Sequence, residues 1–194
     1  DVRIAIESPT WNETVQPGRV EVRIRLENYF LQPPDGPHVH VILDNEPYRA
    51  VYDVSRPIVL EDVAPGAHVL RVFPSRPWHE SIKASDQAFD VVRFVVGEDD
   101  GRFRVDRDAP QLTYSRPRGE YSSKEAQRML FDFYLTIVDL SEDGYRVLWK
   151  LDDGEEQFIT DWRALALENV PPGEHTLEID LVDADGAPVE NGGL

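Results

Sequence analysis

His38-Val39-His40-Val41-Ile42-Leu43-Asp44-Asn45, joined downstream by Val63-Ala64-Pro65-Gly66-Ala67-His68-Val69-Leu70, decides the fold, because a version of it returns later in the chain. The second copy reads Arg146-Val147-Leu148-Trp149-Lys150-Leu151-Asp152-Asp153 and then Val170-Pro171-Pro172-Gly173-Glu174-His175-Thr176-Leu177. The offset is 108 at Asp44/Asp152 and 107 at Gly66/Gly173, so the copies stay in register with one residue lost between them. In each copy an alternating segment leads to a Pro-Gly turn and a second alternating segment. Side chains on a strand point to opposite faces in turn, so period-two alternation marks a strand with one buried face. Val39, Val41 and Leu43 match Val147, Trp149 and Leu151 and form the core face, which sends His38 and His40 to the other side. His68 and His175 recur at the same place and read as structural.

Working outward, Val2, Ile4 and Ile6 alternate, and Val20-Glu21-Val22-Arg23-Ile24-Arg25-Leu26-Glu27 is the clearest strand in the chain. The prolines of Leu31–Pro37 mark a loop, since proline cannot donate to a ladder. Tyr48–Tyr52 and Ile58–Leu60 follow as short strands. Phe73–Glu80 reads as an irregular connection, and Phe89–Val96 closes the first half. In the second half Met129–Val138 is a long apolar strand, and Ser123 is placed to cap a helical turn over 124–129. The chain is therefore expected to be all-β: residues 1–97 one domain, 98–110 an acidic linker, and 111–194 a second domain lacking its last strand. With 194 residues, two domains of roughly 100 residues each have room for a core.

The net charge of −17 is uneven: 14 acidic and 10 basic residues in 1–97 give −4, and 23 and 10 in 98–194 give −13. Such a balance repels phosphate backbones and argues against nucleic acid as a partner. No apolar run approaches the roughly 18 residues of a membrane span. There are no cysteines, so neither disulfides nor thiolate chemistry enters. The chain opens at Asp1 in a strand pattern, as expected of a mature chain from which a leader, with or without a lipid anchor, has been removed.

The repeated Leu-x-(Asp/Asn)-Val-x-Pro-Gly-x-His-x-Leu, at Leu60–Leu70 and Leu167–Leu177, together with a tryptophan on the third strand, resembles tandem bacterial immunoglobulin-like or fibronectin type III-like domains. The Asp183-Ala184-Asp185-Gly186 turn is similar to a hairpin of such modules, with Ala187 where asparagine is usual. The resemblance implies two immunoglobulin-like β-sandwich domains in tandem, exported to the periplasm or cell surface. It also implies a non-catalytic structural or binding role, as an accessory subunit docking on a protein partner in a membrane-anchored or surface assembly. Fold analogy does not name the partner.

Three sets of residues could carry chemistry. His38 and His40, two apart on one strand face, can offer two imidazoles to one ion, and His79 in Trp78-His79-Glu80 could add a third, with Zn or Cu the candidates. Against this, a His-x-His on an exposed strand is ordinarily polar surface. Asp106-Arg107-Asp108-Ala109-Pro110 resembles the calcium linker of cadherin-like repeats, with Asp106 and Asp108 as Ca ligands, although Arg107 stands where that family has a neutral side chain. Tyr48, Tyr52, Arg76, Trp78 and His79 form the candidate partner-contact set, and loop aromatics could equally serve a carbohydrate. No phosphate loop, serine-nucleophile elbow or cysteine nucleophile is present, so no enzyme is expected.

Overall fold

The computed structural model describes residues 1–194 and divides them into two compact units, 1–107 with 192–194, and 108–191. The protein is all-β and its sheets pack as β-sandwiches. No helix is long and apolar enough to cross a membrane.

The first unit contains β1 (Arg3–Ser8), β2 (Thr14–Val15), β3 (Gly18–Glu27), β4 (His38–Leu43), β5 (Arg49–Val51), β6 (Ile58–Val63), β7 (Gly66–Ser75) and β8 (Asp90–Val96). They form a three-stranded sheet, β1-β3-β6, and a five-stranded sheet, β2-β8-β7-β4-β5. The alternating residues Ile4, Ile6, Val20, Val22 and Ile24 of the first meet Val39, Val41, Leu70, Val72, Val92 and Phe94 of the second in one core. The face assignment of β4 thus agrees with its alternation: valines inward, His38 and His40 outward.

The outward face of the five-stranded sheet is covered as well, which alternation did not indicate. All ten residues of β7 are buried. At one end Val69 and Val91 pack with Val105, Trp11, Phe103 and Leu194. Residues 98–105, expected to be part of a solvated linker, are instead tied to the sheet. Arg93 grips the Asp99 carboxylate through two 2.7 Å bonds and donates to the Phe103 carbonyl at 2.8 Å, while Asp100 accepts from Ala67 N–H at 3.0 Å. A strongly acidic stretch packs here because its charges meet a guanidinium and a backbone amide. Strand β7 also extends through Phe73–Ser75, which composition had assigned to the irregular connection. Pro74 is tolerated because β8 pairs only with Gly66–Val72, so no β8 carbonyl faces its missing N–H, and its carbonyl accepts from Ile82 N–H at 3.0 Å.

The second unit contains β9 (Gln111–Arg116), a 3-10 turn (Glu125–Gln127), β10 (Arg128–Thr136), β11 (Arg146–Leu151), β12 (Gln157–Ile159), β13 (Leu165–Glu168) and β14 (Leu177–Val182). The sheets β13-β10-β9 and β12-β11-β14 enclose Phe131, Phe133, Leu135, Val147 and Leu181, with Trp149 packed against them. Ser122, one residue earlier than expected, opens the 3-10 turn. Its backbone N–H donates to Glu125 Oε2 at 2.8 Å and its hydroxyl to the same oxygen at 2.5 Å. After β14 the chain turns through Asp183–Gly186 and comes back alongside, with a Val182–Pro188 bridge and Val189 N–H donating to Leu181 O at 2.8 Å.

The repeated histidines make the same latch in both units. His68 Nδ1 bonds Asp44 Oδ2 at 2.8 Å, His68 Nε2 bonds Ala64 O at 2.8 Å, and Asp44 Oδ1 accepts from Val69 N–H at 2.8 Å. His175, Asp152, Pro171 and Thr176 repeat this at 2.7, 2.8 and 2.8 Å. Both ring nitrogens face acceptors that cannot donate, so each imidazole is held as a doubly protonated cation. Accordingly the carboxylate beside each ring raises its pKa. Asp44 and Asp152 sit at φ 54° and 51°, a left-handed conformation that aspartate tolerates better than most residues.

Candidate metal centre

Strand β4 sets two imidazoles side by side. His38 and His40 share its outward face, and both are 0% exposed rather than surface groups. Tyr48, reached by the turn after β4, lies flat on His40 with ring centroids 3.5 Å apart and planes within 7°, and Phe73 meets the same ring edge-on at 5.2 Å. Tyr52 flanks His38 at 5.0 Å. These rings desolvate the pair and fix its rotamers.

The third imidazole comes from the loop after β7. A Ser75–Ser81 bridge and Ile82 N–H donating to Pro74 O at 3.0 Å close the loop base. Arg76 N–H then bonds Glu80 O, and His79 N–H bonds Arg76 O, both at 2.9 Å. Within this tight turn His79 takes φ 71°, an uncommon conformation for a residue with a side chain, and one of the kind that concentrates at functional sites. The result is that His79 Nδ1 lies 3.0 Å from His38 Nε2, and His40 Nε2 lies 3.0 Å from the same atom. The ligand nitrogens of all three residues lie within 4.8 Å of one another.

The tautomer of His38 follows from its other nitrogen. Nδ1 is 2.9 Å from the Gly36 carbonyl, which only accepts, so Nδ1 carries a proton, and whenever the ring is neutral Nε2 is the nitrogen with the lone pair, facing its two neighbours. A backbone carbonyl holding the far N–H of a histidine is the usual outer support of a metal-ligating imidazole. Three imidazoles bound to one tetrahedral ion at about 2.0–2.1 Å place their nitrogens about 3.3–3.4 Å apart. The two separations from His38 Nε2, both 3.0 Å, differ from that by a few tenths of an ångström, while the third, between His40 and His79, lies within 4.8 Å and closes by a turn of the His79 ring.

Of the remaining candidates, Tyr48 is buried under His40 and is not a surface contact, and Tyr52 is half-buried beside His38. His79 turns inward. Trp78 is 57% exposed, its indole N–H donating to Glu80 Oε2 at 2.7 Å while the Arg76 guanidinium lies over its ring, 5.5 Å from the centroid. Asp106 and Asp108 are exposed, and three candidate metal ligands come together at the histidine trio. Sequence reasoning missed Tyr48 and Gly36 as supports of the site. Tyr48 was visible only as a loop aromatic, and a backbone acceptor such as Gly36 O leaves no side-chain signal.

No protein-family model matches the chain, and no curated protein matches it. Among solved structures, the fibronectin(III)-like modules of Clostridium thermocellum CbhA are similar at 14% identity and a TM-score of 0.36, over 95% of this chain and 87% of that one.

Proposed function

We propose that this protein is a metal-binding β-sandwich protein whose first unit holds one transition-metal ion, Zn or Cu, through His38 Nε2, His40 Nε2 and His79 Nδ1. The observation that carries the reading is the convergence of three imidazole nitrogens from a strand and a loop, with His40 Nε2 and His79 Nδ1 each 3.0 Å from His38 Nε2 and all three within 4.8 Å of one another. A neutral imidazole has one in-plane lone pair, which serves one N–H donor well. A cation can engage the lone pairs of all three rings together. Imidazole donors suit zinc and copper, whereas calcium requires a shell of oxygens that this trio does not offer. The protein's own part is to desolvate the pair on β4, fix the rings by stacking, and bring His79 over by the turn at 76–80. Titration calorimetry of metal-stripped protein with Zn or Cu tests it. One equivalent should bind, and His79→Ala should weaken binding by more than about 100-fold, because outer-shell supports alone typically carry 10–100-fold. Absence of stoichiometric binding to the unsubstituted protein would overturn the reading.

A second reading, a non-catalytic exported module that contacts a protein partner or carbohydrate, is favoured by the exposed Trp78 framed by Arg76 and Glu80. Copurification from the native source, with Trp78→Ala as the control, tests it. An unchanged set of copurifying partners would remove that loop from the contact.

A further inference from the structure

Resting on the metal-binding reading, we propose that the ion held by His38, His40 and His79 keeps one coordination position for a small exogenous anion. The trio supplies three ligand atoms, and a tetrahedral ion takes four. Among the nearby groups, the Tyr48 phenol is the obvious rival for the fourth place, and its stacking removes it. An ion bound to His40 Nε2 lies in the plane of that ring, and the Tyr48 ring runs parallel to the plane at 3.5 Å. The phenol oxygen therefore stands roughly 3.5 Å out of the plane, against the about 2.0–2.2 Å that a zinc–oxygen bond requires. The Glu80 carboxylate is engaged elsewhere, accepting from the Trp78 indole at 2.7 Å with the Arg76 guanidinium 3.7 Å away.

Charge then decides the class of ligand. Three neutral imidazoles leave both positive charges of the ion uncompensated, in surroundings of buried aromatic rings where electrostatic attraction is strong. An anion is favoured over a neutral donor. Access is on the His79 side, because His79 is partly exposed whereas His38 and His40 are sealed.

The test uses the full chain loaded with Cu(II) and titrated with azide, followed by optical spectroscopy and electron paramagnetic resonance. The expected result is a copper signal split by imidazole nitrogens, and a new azide-to-copper charge-transfer band that saturates at one azide per copper while the copper stays bound. A stoichiometric copper site whose spectra azide leaves unchanged overturns the proposal and leaves the metal-binding reading standing. So does azide stripping copper into the filtrate, or a phenolate-to-copper band before azide is added, which would put a tyrosine in the fourth place. Failure to bind copper or zinc at all removes both readings together.

Discussion

Replacing Asp44 with asparagine removes one charge, which faces His68 in the latch of the first unit and also acts on the buried Arg71 guanidinium, a partner whose charge does not change between pH 6 and pH 9. Asparagine tolerates the left-handed conformation at φ 54°, and its carbonyl oxygen can still accept from Val69 N–H. What is lost is the carboxylate that faces the His68 imidazolium. His68 is 4% exposed and the Asp44 side chain 18%, so the bond is largely shielded from water. A hydrogen bond to a charged partner contributes about 1.5–3 kcal/mol. Discounting for the exposed side of the pair gives about 1.5 kcal/mol for Asp44→Asn near pH 6, or about tenfold in the folding equilibrium. The sign of the pH dependence follows from the direction of the shift, which the Asp44 carboxylate raises. A raised pKa stabilises the fold fully below the unfolded value of about 6.5 and loses that contribution as pH climbs through the folded value. The difference between Asp44→Asn and the unsubstituted protein should therefore shrink between pH 6 and pH 9. Urea unfolding read from the methyl resonances of Val69, Leu70 and Val72, which lie on β7 beside the latch, isolates the first unit. Equal cost at both pH values, or no cost at pH 6, would refute the imidazolium assignment.

Four further outcomes are expected. Asp152→Asn, on the more exposed copy of the latch, should cost less than Asp44→Asn in the same experiment read at Leu177 and Leu181. Gly66→Ala should be costly and should detach residues 99–102. It combines φ 129° with a new methyl set against the Asp100 carboxylate and 2.8 Å from Arg102 Nη2, whereas at Gly173 the nearest atom is 3.9 Å away and only the backbone strain of about 1–3 kcal/mol remains; thermal melts of the two variants compare them. Phe94→Ala, at a fully buried core position, should cost about 3–5 kcal/mol in urea unfolding. Zinc at about a hundred times its dissociation constant should stabilise the first unit by about 2.7 kcal/mol, raising its melting transition and leaving that of His79→Ala where it was.

The strands that face a core were legible because burial on one side imposes alternation. Val20, Val22 and Ile24 are buried and the arginines and glutamates between them are not. The coverings of the outward face were not legible, because loops bury side chains without periodicity. His38 and His40 read as polar surface for that reason: what seals them is Tyr48, Phe73 and the turn at 76–80, and Phe73 itself had been placed outside any strand. The acidic stretch at 98–105 was misread because composition reports the charge of a segment and not its partners. Arg93, on the outward face of β8, is the partner, and it takes Asp99 and the Phe103 carbonyl together. The histidine trio was legible as a possibility from the His-x-His spacing. Its convergence with His79 depends on a backbone turn that spacing cannot supply.

Comparison of the two units locates what is special to the first. Both keep the alternating strand, the Pro-Gly turn and the aspartate–histidine latch, so none of these explains a difference between them. At the positions of His38 and His40 the second unit has Arg146 and Leu148, and Arg146 spends its guanidinium on the Asp183 and Ala184 carbonyls and lies 4.8 Å from the Phe158 ring centroid. Following β14 the chain turns back at once through Asp183–Gly186, whereas following β7 it runs out to the tight turn that carries His79. Two histidines placed at 146 and 148 would therefore meet no third imidazole. The imidazole trio needs the strand face and the loop together, which is why it occurs in the first unit.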